Sequence, residues 1–154
     1  MSRVVVNEIE AKVGNDITFN DTVKIDTLKG KTTAGSVTVQ GEGTATTNLQ
    51  QGLCKAWVQF NGSSFGIQDS FNLSSMDDNG TGDYTVNILN DMSNNDYSIT
   101  ATGYKPSADF GFITNNNEGF ITTGYARIET VEHDGGHKQT EFLVSCVTFH
   151  GDLA

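Results

Sequence analysis

The sequence predicts an all-β protein, with an extended N-terminal β arm over residues 1–52 followed by an antiparallel β-sandwich, jelly-roll or immunoglobulin-like, over residues 53–154. Three observations predict it. The composition is one of strands and turns, with 19 threonines, 14 asparagines, 17 glycines and a single proline, Pro106, in 154 residues. From Cys54 onward apolar residues recur at every second position, the period of a strand with one face buried. The large rings are concentrated in the C-terminal part: of nine Phe, four Tyr and one Trp, only Phe19 precedes residue 53.

The arm is the first element. Residues 2–52 hold 13 large apolar side chains, fewer than half the number in the remainder of the chain. Ordering a backbone of this length costs more conformational entropy than so few buried side chains return, so the segment either stays mobile or orders against something else. Other copies of the same chain are the expected partner. The short β-like runs Ile17 to Phe19, Val23 to Ile25 and Ser36 to Val39 are separated by Gly14-Asn15, Asp26-Thr27, Gly30 and Ala34-Gly35, and each is too short for a sheet of its own. Val6, Ile9 and Val13 also fit a helix of barely two turns, and helix and strand remain open there.

The sandwich strands follow. Cys54, Ala56, Val58 and Phe60 fall on one face of the first strand, and Lys55, Trp57 and Gln59 on the other. Further runs lie at Ile67 to Leu73, Tyr84 to Ile88, Tyr97 to Ala101, Phe110 to Thr114, Phe120 to Ile128 and Phe142 to Phe149. The last is apolar on both faces and should be central. Turns are signalled by Asn61-Gly62, Asp78-Asn79-Gly80, Ser93 to Asp96, Asn115 to Asn117 and Asp134-Gly135-Gly136. Seven or eight strands at intervals of about 10–14 residues, without helices between them, make a sandwich.

Charge excludes whole classes of partner. The net charge is −10, divided as −1 over residues 1–52 and −9 over residues 53–154. A nucleic acid needs a basic stripe, which is missing, and anionic headgroups are repelled. The longest apolar run near the N-terminus is Val4-Val5-Val6, far short of a signal peptide or a membrane span, so no membrane insertion is expected.

Several motifs imitate chemistry. Gly62-Ser63-Ser64-Phe65-Gly66 matches the G-x-S-x-G nucleophile elbow, but that motif must run into a helix and here precedes an alternating strand; a hairpin loop is expected. Asp77, Asn79, Thr81 and Gly82 resemble the start of a calcium loop, yet position 12 is Ile88 rather than a bidentate Glu, so a tight glycine turn is expected. His133 and His137 stand four apart around two glycines, which disfavours the helix that would let them share a metal; a metal on a trimer axis remains the alternative. Cys54 and Cys146 lie in alternating runs and read as two buried thiols in neighbouring strands, with a disulfide as the alternative. Asn61-Gly62-Ser63 and Asn72-Leu73-Ser74 match the glycosylation tripeptide but carry no weight without a secretory signal. No catalytic, cofactor-binding or metal residue is therefore nominated, and no enzyme is expected.

Between Gly52 and Gly103 the chain reads GLCKAWVQFNG, IQDSFNLSSMDDNGTGDYTVNIL and NNDYSITATG. The strand Lys55 to Phe60, the run Ser70 to Ser75, the turn and strand Asn79 to Val86 and the strand Asp96 to Gly103 resemble a module of tail-fibre and virion structural proteins of tailed bacteriophages, especially marine ones. The opening SRVVVNEI is similar to the N-terminal start of such proteins. The resemblance implies a non-enzymatic homotrimer, assembled in the bacterial cytoplasm and carried on the virion surface. Its arm would be intertwined or docked on other virion proteins, of the tail or the capsid, and its sandwich would face outward. A tail-fibre or spike-type appendage attaching to a host surface, in particular a glycan, is the first expectation. A cement trimer decorating the head is the second, because 154 residues leave little stem. A carbohydrate-binding module or small hydrolase is the third. No receptor-binding residue follows from the resemblance.

Overall fold

The computed structural model describes residues 20, 22–30, 37–40, 44–106, 111–115, 120–133 and 136–154, and for 111–115, 133 and 137 the backbone alone. The possible helix at Val6 to Val13, the run Ile17 to Phe19, and the turn residues at 116–117 and 134–135 lie outside the described residues.

The protein is an antiparallel β-sandwich. One sheet has the order β4-β3-β11-β7, made of β3 (Ala56–Asn61), β4 (Gly66–Phe71), β7 (Ser98–Tyr104) and β11 (Val144–His150). The facing sheet contains β5 (Leu73–Gly80), β6 (Asp83–Ile88) and β9 (Tyr125–His133), with β8 (Gly111–Asn115) and β10 (His137–Gln139) also paired to β9. β6 pairs with Tyr125 to Glu129 of β9, β10 with Val131 to His133, and β8 with Ile128 to Glu132. Because the β8 register overlaps both of the others, β8 occupies the opposite edge of β9. β3 and β11, the first and last strands of the sandwich, are neighbours, whereas the ABED–CFG order of an immunoglobulin domain puts its first and last strands in different sheets.

Alternation decides which residues enter the core. Ala56, Val58 and Phe60 of β3, Val147 and Phe149 of β11, Tyr84, Val86 and Ile88 of β6, and Ala126 and Ile128 of β9 are buried in one cluster between the sheets. Ring packing joins the two layers: Phe60 meets Tyr84 edge-on at 4.8 Å between centroids. Such pairs add about 0.5–1.5 kcal/mol to the burial of their area. The expected centrality of the last strand holds, since β11 is flanked by β3 and β7.

Two strands differ from the sequence reading. The run Ile67 to Leu73 is broken at Asn72, whose φ of 57° turns the chain from β4 in one sheet into β5 in the other. β5 then continues to Gly80 and takes in the expected turn Asp78-Asn79-Gly80, because β6 supplies its backbone partners although Met76 is its only buried side chain. The strand expected over Phe120 to Ile128 instead occupies Tyr125–His133. Thr122 sets its start: its hydroxyl accepts from the amides of Gly124 at 3.3 Å and Tyr125 at 3.1 Å, closing a turn.

In the first 52 residues, 22–30 belong to no strand ladder, so Val23 to Ile25 is not a strand within the single chain. The run ending at Val39 contributes β1 (Thr38–Gln40), which pairs with an unforeseen β2 (Thr46–Asn48) in a separate two-stranded ladder. Asn48 then caps a single helical turn, α1 (Leu49–Gly52), its Oδ1 accepting from the Gln51 amide at 3.1 Å. This turn meets the sandwich: Gln51 Nε2 donates to Asp152 at 2.9 Å, and the buried Lys55 ammonium donates to the carbonyls of Gln50 and Leu53.

Candidate interaction surface

The motifs that imitate active sites resolve into structural elements. Ser64 is exposed in the loop between β3 and β4, its amide donating to Asn61 Oδ1 at 3.1 Å, and β4 rather than a helix follows it. Asp77 and Asn79 lie on β5, where Asp77 accepts from Asn87 at 2.8 Å and Asn79 donates to Thr85 at 2.9 Å. Gly80 and Gly82 have φ of 132° and 68° and make the tight turn into β6. His133 and His137 are register partners across the β9–β10 hairpin; their side chains lie outside the described residues. Among the described residues no three metal-ligating side chains converge.

Cys54 and Cys146 are free thiols and half-buried rather than buried. Ala56 pairs with Phe149, so Cys54, two residues earlier, is level with Gly151, five residues along from Cys146. At about 3.4 Å per residue that separation is roughly 17 Å, far beyond the reach of a disulfide, which spans about 7 Å at most between Cα atoms. Asn72 of the second glycosylation tripeptide has its amide fully engaged, with bonds to Lys55 O at 2.9 Å and to Asn90 N at 2.9 Å.

A polar cluster gathers around the β5–β6 turn. Glu141 accepts from the Gly82 amide at 3.0 Å and from the buried Tyr84 hydroxyl. Arg127 binds Asp83 through two nitrogens, Nε to Oδ1 at 2.6 Å, with its guanidinium over the Phe120 ring at 4.5 Å. Lys105 bridges Glu132 at 2.7 Å and Thr140 at 2.5 Å, and Gln139 donates to Glu129 at 2.5 Å. These charges are matched to each other rather than aimed at a vacant position, so the cluster fastens the end of the sandwich.

Two carboxyls of the cluster and two buried phenols make the stability of the fold depend on pH. Hydrogen bonds from Arg127 hold the Asp83 carboxyl below its ordinary 3.8, and those from Lys105 hold Glu132 below its ordinary value too. Burial pushes the Tyr97 phenol up to about 12, and burial followed by the Glu141 contact pushes Tyr84 higher still. Depressed carboxyls stabilise the fold above about pH 4 and lose that contribution as pH falls through their folded values; raised phenols stabilise it below about pH 10 and lose theirs above it. Urea midpoints should therefore be highest between these limits. In Arg127→Met, Asp83 loses the partner that depresses it, so the variant is less stable at neutral pH and its deficit narrows below about pH 4. A constant deficit from pH 7 to pH 3 would rule the pair out as the acid-labile element.

The outer face of the β4-β3-β11-β7 sheet is of another kind. Register places Phe71 beside Trp57 and Trp57 beside Thr148, which is itself level with Thr100; the next row is Asp69, Gln59, Cys146 and Thr102. These residues alternate with the buried ones, so they share the outward face, and Tyr104 stands exposed at its far edge. The result is an outward face of aromatic rings among hydroxyls, an amide and one carboxylate. Sequence reading placed Trp57 opposite the core face but gave no sign of its neighbours, which come from strands distant in sequence.

β4 is the outer strand of this sheet and pairs with β3 alone among the described residues. A bulge between Gln59 and Phe60 sets Ile67 opposite Phe60, and Ile67 and Phe71 are 44% and 54% exposed. In the N-terminal segment Val23, Ile25 and Leu28 are between 49% and 60% exposed. Comparison with protein-family models, curated proteins and solved structures finds no significant match.

Proposed function

We propose that this chain is a non-enzymatic structural protein of a bacteriophage virion, acting as a trimeric tail-fibre or spike-type appendage in host attachment. The observation that carries the reading is the division of the chain. Residues from Lys55 onward fill a core from both sheets, whereas Val23, Ile25 and Leu28 leave their apolar side chains in water. Burying such side chains is worth about 1.5–3 kcal/mol each, which identical neighbouring chains at high local concentration would recover. The sequence likeness to virion proteins of tailed phages supplies the setting. The outward face of Trp57, Phe71, Gln59 and Thr148 favours attachment to a glycan, because sugar rings stack on aromatic faces while amides and hydroxyls bind their OH groups.

The test is the mass of the full chain in solution, followed by its address on the particle. Light scattering should give three times the chain mass at micromolar concentration, and cryo-electron microscopy should place the sandwich on the tail. A monomer at every concentration overturns the oligomeric reading. Density on the head instead supports a cement protein that stiffens the capsid.

A further inference from the structure

Taking the oligomeric reading as its premise, we propose that residues 23–28 of one copy add as an extra strand to the open edge of β4 in a neighbouring copy. An edge strand offers a row of backbone N–H and C=O groups to any extended chain, and stable proteins guard such edges with charge. The two edges on this side of the sandwich differ in this respect. β5 carries Asp77 and Asp78, whereas β4, GIQDSF, carries only Asp69 and exposes Ile67 and Phe71. β4 therefore has one charge fewer than β5 and two exposed apolar side chains.

Residues 23–28, VKIDTL, have what such an edge accepts. Val23 and Ile25 are two apart, so in a strand they fall on one face, with Lys24 and Asp26 on the other. Six residues span about 20 Å, the length of the six-residue β4. The segment joins no ladder within its own chain, although β4 is present there to receive it. Strand addition would supply the main-chain bonds and cover Val23 and Ile25 with the apolar side chain that β4 presents on the same face.

Hydrogen exchange on the full-length protein, read peptide by peptide at a concentration where light scattering shows the oligomer, tests this. The β4 peptide should exchange at least roughly tenfold faster in Val23→Asp/Ile25→Asp than in the wild type, while the β3 peptide is unchanged and shows that the sandwich is folded. Dilution of the wild type to monomers should expose β4 in the same way. Equal β4 exchange in wild type and variant, with the oligomer intact, overturns the strand addition and leaves the oligomeric reading standing. A wild type that is monomeric throughout removes both. Protection of β4 that persists unchanged in a diluted monomer assigns the edge to the chain's own segment and also overturns the proposal.

Discussion

Replacing Gly82 by alanine should cost about 2–5 kcal/mol, a large fraction of the roughly 5–15 kcal/mol that holds a domain together. Two independent terms add. At φ 68° an L side chain pays roughly 1–2 kcal/mol that glycine does not. The new methyl would also stand 2.6 Å from Thr140 N, 2.7 Å from Thr130 O and 2.8 Å from Thr140 O, all backbone atoms. None is the free end of a side chain that could swing aside. Those atoms belong to a ladder in which the Thr130 amide donates to Gly82 O at 2.8 Å and the Thr140 amide donates to Thr130 O at 2.9 Å. Relief of the clash would therefore pull β9 from the turn and loosen the grip of Glu141 on the Gly82 amide. In urea the midpoint should fall by about 2 M or more, or soluble protein should be lost outright. Gly136→Ala, where an added methyl meets nothing within 4 Å, should stay within about 0.5 kcal/mol of wild type. If the two variants unfold alike, the close approach at Gly82 has no energetic weight.

The glycine turn before Tyr84 was legible in the sequence, but the reason it admits no side chain was not. Asn79-Gly80-Thr81-Gly82 announces a reversal of the chain, whereas Thr130 and Thr140 reach Gly82 only after β9 and β10 have docked. The strands fall into the same two groups. β3 could be read directly because Ala56, Val58 and Phe60 alternate with Trp57 and Gln59, a pattern that packing and propensity both favour. β5 could not, since a strand with one buried side chain has no period to detect and owes its conformation to the backbone of β6. The candidate surface shows the limit most plainly. Trp57 was assigned to the side opposite the core, yet Phe71, Thr148 and Thr100 become its row only through a register that a one-residue slip would destroy.

Asn72 decides that register at the point where the chain changes sheets, and alanine there should cost about 2–3 kcal/mol. Its left-handed φ of 57° is tolerated by asparagine and glycine but strains alanine by roughly 1 kcal/mol. Its amide also works in both directions: Nδ2 donates to Lys55 O at 2.9 Å and Asn90 O at 3.2 Å, and Oδ1 accepts from Asn90 N at 2.9 Å and Asn90 Nδ2 at 2.7 Å. These bonds tie the β4–β5 corner to the residue before β3 and to the loop after β6, so one side chain fixes the ends of strands from both sheets. The two contributions separate by substitution. Asn72→Gly keeps the backbone conformation and loses the bonds, so it should fall between wild type and Asn72→Ala, about 1 kcal/mol above the latter. Equal losses in the two variants would mean that the hydrogen bonds carry the whole effect and the strain none. The functional consequence follows from geometry, because Phe71 and Ile67 keep their places beside Trp57 and along the open edge only while this corner holds β4 in register. Asn72→Ala should therefore show faster hydrogen exchange in β4 and β5 than in β11, and uniform exchange across the sandwich would place the lost stability elsewhere.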